Sequence, residues 1–219
     1  MEASVTNSGS AQIEVESKSN DVQFVRVTVK KIINPGTKQE KEISVGRVEE
    51  DALVITPQKL AITAGGMRVV RALAITLPKQ ETTWRVYFEG VSENEYGGNK
   101  AAQNSADVGV SIIWGVLVHV APEKAVVSLK YDPVTGTVVN DGTIRIPLNE
   151  TAVCAAADKC IWRKEKATVY PGTSVKLSST HFNERGEYRA KYYNWISNKN
   201  EEITLPVIGG QNTGSIQRN

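Results

Sequence analysis

The chain has two histidines and two cysteines in 219 residues, and that scarcity bounds the chemistry it can carry. A metal site needs more ligands, closer together, than His119, His181 and two cysteines offer at their spacings. No H-E-x-x-H, no phosphate-cradling glycine loop and no nucleophile elbow occurs. Two distant histidines do not by spacing exclude a Ser-His-Asp arrangement, but no pattern points to one. The expectation is a protein that is not an enzyme and holds no metal or cofactor. Long apolar runs are missing too, so nothing approaches the length of a membrane span. Charge of one sign is never clustered: at a net charge of +2, acidic and basic residues alternate, which leaves no nucleic-acid footprint. The first residues, MEASVTNSGS, are too polar for a secretory signal. Either a signal has been removed or the start lies inside the gene.

No convincing helical period occurs; what is present is strand after strand. Residues 11–17 alternate through Ile13 and Val15, and 22–33 through Val25, Val27 and Val29, with the polar turn SKSND between them. Asn34-Pro35-Gly36 follows, where Pro35 fixes φ and Gly36 accepts a positive one. Further strands are expected over 43–48, 53–56, 60–63, 67–77 and 83–91. A polar loop, SENEYGGNKAAQNSAD (92–107), comes next; loops of that length carry function or are disordered. After residue 122 the pattern resumes at 125–131, 137–139, 143–148, 166–170, 174–178, 188–196 and 202–207. Asp132-Pro133 with Thr135-Gly136, Asn140-Asp141-Gly142 and Pro171-Gly172 supply the turns. Many short strands with turn signals between them describe an all-β chain of sandwiches, the second smaller than the first.

One stretch stands apart. Residues 108–122, VGVSIIWGVLVHVAP, place Val108, Val110, Ile112, Trp114, Val116, Val118 and Val120 on one parity. Ordinary strands run about 5 to 6 residues, so this one either protrudes past its own sheet or serves two partners. Pro122 ends it.

Cys154 and Cys160 lie in VCAAADKC, read as a small polar loop between apolar segments. A disulfide fits best, because a redox pair is usually closer, as C-x-x-C. A bridge places the chain in an oxidising compartment such as a bacterial periplasm; two free buried thiols of a cytosolic protein are the other reading.

Leu53-Val-Ile-Thr-Pro57 followed by Leu60, Ala64-Gly65 and Val70-Arg71, then Trp84-Arg-Val-Tyr-Phe-Glu89, the long alternating strand ending in proline and a second β domain resemble, in order and spacing, the PapD-like periplasmic pilus chaperones. Lys30-Lys-Ile-Ile-Asn-Pro-Gly-Thr37, with Thr56-Pro-Gln-Lys59 and Arg85-Val-Tyr-Phe-Glu89, resembles more narrowly the alternate-class chaperones of colonisation-factor fimbriae. The likeness covers residues 11–207.

That resemblance implies two immunoglobulin-like sandwiches at a fixed angle: 1–121 with the long strand, 122–208, and a loose tail at 209–219. It implies a periplasmic chaperone that lends a strand to fimbrial subunits, prevents their aggregation and delivers them to an outer-membrane usher. The free chain is then a monomer or a self-capping dimer. By comparison with the family, the strand offered to the subunit is Val108, Val110 and Ile112, with Trp114 at its inner end. A first strand of the family falls upstream of Met1, and the family's lysine in the long strand matches Leu117. His119, the one ionisable group of that strand, either replaces this carboxylate anchor or is an ordinary histidine. The family's interdomain ion pairs match Arg71, Glu89 and Glu184, and Arg71 shares strand parity with Val69 and Leu73, an otherwise apolar face. The alternative role, a fimbrial structural subunit or adhesin of two sandwiches, requires an alternating donor extension, and MEASVTNSGS alternates poorly.

Overall fold

The computed structural model describes residues 1–46, 52–97, 112–156, 159–180 and 186–209. The chain divides into two compact units, Met1–Glu123 and Lys124–Asn219. In unit 1 the elements are β1 (Glu2–Val5), β2 (Ser10–Glu16), β3 (Gln23–Ile33), β4 (Lys41–Ile43), β5 (Leu53–Thr56), β6 (Lys59–Ile62), β7 (Met67–Ala74), β8 (Thr82–Val91), α1 (Glu93–Gly97) and β9 (Ile113–Val120). One sheet runs β1-β9-β8-β3-β4 with β6 also on β3, and the other runs β2-β7-β5. Their inner faces share a core that includes Ile55, Val70, Trp84, Val86 and Val118. The alternation in the sequence produces it directly, since residues of one strand parity share a face.

Unit 2 contains β10 (Leu129–Asp132), β11 (Thr137–Asn140), β12 (Ile146–Ala156), β13 (Lys159–Val169), β14 (Ser174–Lys176), β15 (Glu187–Asn194) and β16 (Lys199–Thr204). Its sheets run β10-β11-β14 and β13-β12-β15-β16, over a core of their own around Leu129, Val138, Ile146, Val169 and Leu205. Glu165 is buried in this unit, and its carboxylate accepts hydrogen bonds from the Ser178 and Ser179 amides and the Ser178 hydroxyl. Near the far edge, Tyr192, Asn194 and Ser197 donate to Glu201; these donors, the Tyr192 hydroxyl first, hold its carboxyl below the usual carboxylate range.

Three sequence expectations change. The cysteines do not sit in a loop: Cys154 lies on β12 and Cys160 on β13, opposite each other in one long hairpin. The charged KCIWRKEK hides the strand period, because β13 is paired on one side and turns its lysines and Arg163 outward while Glu165 is buried. The expected disulfide is formed, with Cα atoms 3.9 Å apart. The second change is β1, whose four residues pair in parallel with β9 although MEASV is too short to show a period.

The third is α1 inside the expected loop. Its start was legible as Ser-x-x-Glu: the Ser92 amide donates to the Glu95 carboxylate and the Glu95 amide to the Ser92 hydroxyl, a capping box. Those two groups of Ser92, its amide foremost, also hold the Glu95 carboxyl below its ordinary range. Tyr96 then stacks on Phe24 at 4.8 Å, and the Lys59 ammonium donates to the Tyr96 carbonyl.

Replacing both cysteines by serine should cost about 2 kcal/mol. The enclosed segment is short, so the crosslink removes little freedom from the unfolded chain. Urea unfolding of the oxidised parent and the double variant measures this directly, and coincident curves would show that the bridge adds nothing.

Candidate functional site

β9 is held differently on its two sides. Toward the sheet interior it pairs antiparallel with β8 along its whole length, Glu89 opposite Ile113 through to Thr82 opposite Val120. On the other side β1 covers Leu117 to Val120, with the Leu117 amide donating to the Met1 carbonyl and the Ala121 amide to Val5. Among the described residues, no strand lies beside Ile113 to Val116 on that side. The amides of Leu117 and Ala121 point away from β8, so by alternation those of Ile113 and Gly115 do too. Among the described residues, the backbone of Ile113 and Gly115 therefore faces a side on which no strand is placed.

The side chains along this edge are apolar and solvent-facing. Val116, Val118 and Val120 are buried, whereas the preceding members of the same row, Trp114 and Ile112, are 59% and 63% exposed, and Ile113 on the opposite face is 55% exposed. Ile112 and Trp114 line an open groove of about 710 Å³ at the end of the unit 1 sandwich, with Val25, Ile62 and Phe88 among its walls. The outer face of the same stretch is occupied: a Cβ added at Gly115 would lie 3.4–3.6 Å from the Arg85 and Tyr87 side chains. Those two are bound to Glu42, the Tyr87 hydroxyl donating to both carboxylate oxygens and Arg85 to one. The bond with Tyr87, then the charge of Glu42, holds the Arg85 pKa above its ordinary value. Burial, then donation to Glu42, pushes the Tyr87 phenol up as well. This network braces β4 and β8 behind this stretch.

Of the expected strand residues, the structure brings Ile112 and Trp114 together on one row; Val108 and Val110 lie outside the described residues. His119 is buried beside carboxylates of its own chain. It is 1% exposed, its Nδ1 lies 3.1 Å from Glu81 Oε1 and its Nε2 3.9 Å from Glu2 Oε2. The buried ring is thus engaged by carboxylates of its own chain, a pairing between residues far apart in sequence.

Arg71 shares its face of β7 with Val69 and Leu73, as expected. It lies on the exposed face of β7, opposite Gln12 and Thr56, whereas the buried face carries Val70 and Ala72. MRVVRALA has apolar residues on both parities, so the sequence leaves the buried one undecided. Glu89 accepts two hydrogen bonds from Arg26, its cross-strand neighbour on β3, and a half-exposed pair of this kind contributes little to stability. Glu184 lies outside the described residues.

Among the described residues no cluster of side chains could hold a metal ion, and no helix is long and apolar enough to cross a membrane.

No family model matches the chain. It is 32% identical over 178 residues to a CS1 fimbrial subunit from Escherichia coli, covering 78% of this chain and 74% of that protein. Its fold is similar to that of the class 5 fimbriae chaperone CfaA, with a TM-score of 0.74, 26% identity and coverage of 92% and 94%. A chain of the chaperone–tip adhesin complex of CFA/I fimbriae biogenesis matches at a TM-score of 0.70, with 25% identity and coverage of 93% and 95%. The match to a chaperone runs through both sandwiches and selects the chaperone role over that of a structural subunit. With its two immunoglobulin-like units, this chain belongs to the PapD-like fimbrial chaperone family.

Proposed function

We propose that the chain works in the periplasm, binds fimbrial subunits by adding the open half of β9 to them, and passes them to an outer-membrane usher. The supporting observation is the exposed apolar start of β9. Among the described residues β1 pairs with β9 from Leu117 to Val120, while Ile112, Ile113 and Trp114 ahead of that stretch are exposed. A subunit that lacks a strand has an unpaired edge and an uncovered core, both prone to aggregation. Backbone hydrogen bonds from Ile113 and Gly115 satisfy such an edge, while the Ile112 and Trp114 row fills pockets at strand spacing. Nothing is hydrolysed in this exchange. The disulfide between Cys154 and Cys160 suits an oxidising compartment. Val108 and Val110 share the sequence parity of Ile112 and belong to the residues offered, and the first 121 residues act as the strand-bearing domain. The structural match to a chain of a chaperone–tip adhesin complex favours a fimbrial subunit as partner.

Burying Ile112 against a subunit is worth roughly 1.5 to 3 kcal/mol, about 10- to 100-fold in affinity. The Ile112→Asp variant should keep the parent's melting transition, since the side chain is exposed, and retrieve at least about 10-fold less co-expressed subunit lacking its own donor extension. Equal retrieval by a folded variant overturns the donor-strand reading.

A further inference from the structure

We infer that the groove at the end of the unit 1 sandwich is a receptor for an apolar side chain of the bound subunit, so that strand exchange is reciprocal; this rests on the donor-strand reading above. The inward row of β8 runs Trp84, Val86, Phe88 and then Gly90, the first three buried. At the fourth position a side chain would close the sandwich, and glycine supplies none. Nothing in the backbone requires glycine there, because Gly90 is not among the positive-φ residues. Packing among the described residues does not require it either, since an added Cβ would meet none of their atoms within 4 Å. The missing side chain keeps the groove open above Val25 and Ile62, with Ile112 and Trp114 along its side.

Position and charge select the occupant. Trp114 stands opposite Phe88 on β8, and Ile112 is the next member of its row. A strand added at the open edge of β9 runs about 4.8 Å away, so its inward side chains fall beside Ile112 and Trp114, over the groove. The end beside Ile112 and Trp114 carries Val25, Ile62 and Phe88, polar residues such as Ser17, Ser19 and Gln23 complete the lining, and the charged groups are already engaged: Lys18 with Glu16, Glu89 with Arg26, Glu95 with Ser92. The groove therefore takes a neutral, apolar side chain of the same subunit that pairs with the strand.

The test fills the groove from within. Gly90→Leu in the full chain should leave the melting transition unchanged or raise it, and should lower retrieval of the co-expressed, extension-less subunit at least about 10-fold, with Gly90→Ala falling between it and the parent. Ile112→Asp runs in parallel. If Gly90→Leu retrieves subunit like the parent while Ile112→Asp does not, the groove inference fails and the donor strand stands. Parental retrieval by both variants overturns both. Loss of usher delivery or of self-association with full subunit retrieval assigns the groove to another occupant and also overturns the inference. Should Gly90→Leu melt early, Gly90→Val takes its place under the same criteria, and a failure of both to fold shows that the space does not accept a side chain.

Discussion

Replacing Trp84 by alanine should destabilise unit 1 by about 3–5 kcal/mol, the range for truncating a buried aromatic residue. The indole is 1% exposed, its Nε1 donates to the Thr82 hydroxyl at 2.9 Å, and the Lys31 ammonium lies 5.6 Å from the ring centroid. It stands between Lys31 of β3 and Val118 of β9 in register, so the void would open beneath β9, the strand proposed to bind the subunit. For a unit of this size each kcal/mol moves the midpoint by roughly 4 °C, giving a fall on the order of 15 °C in a thermal melt followed by circular dichroism. Subunit retrieval should fail at temperatures where the parent still binds, although Ile112 and Trp114 are intact. A fall of only a few degrees would mean that neighbouring side chains collapse into the space.

The second large effect is expected at Asn140. This side chain is fully buried; its Nδ2 donates to the Ile144 and Val169 carbonyls at 2.8 Å each, and its Oδ1 accepts from the Gly142 amide at 2.9 Å. Asn140→Ala removes three bonds and leaves two carbonyls and one amide without their partner. At roughly 1–3 kcal/mol for each such group, partly offset by entering water, the cost is about 3–5 kcal/mol. Asn140→Asp has nearly the same shape but cannot donate to the carbonyls, so it should be no more stable than the alanine variant. Urea unfolding of the three proteins provides the check, and an aspartate variant matching the parent would show that shape, not donation, holds the site. Gly142 is equally constrained, since a Cβ there would lie 2.4 Å from the Val126 carbonyl oxygen.

In the sequence, Asn140-Asp141-Gly142 is a turn signal and nothing more. The turn is there, but local chemistry cannot announce that its first residue ties β11 to the end of β13. The same limit applies to β13, where KCIWRKEK carries a charge pattern that conceals a strand, and to Arg71, where apolar residues on both parities of β7 left the buried face undecided. His119 was legible as the one ionisable group of its strand, but its carboxylate partners Glu81 and Glu2 were not.

What the sequence determined by itself was the strand content, the two-sandwich order and the long alternating strand, because period two and turn residues are local properties. The cysteine pair and the inward row through Trp114, Val116 and Val118 were likewise readable in one dimension. Tertiary structure alone decided which described strands lie beside it. The reach of β1 to Leu117, the glycine at the end of the β8 row and the burial of His119 against Glu81 all depend on which elements become neighbours. Edges and grooves are defined by partners that are absent or distant in the chain, and a pattern of residues carries no record of them until the sheets are assembled.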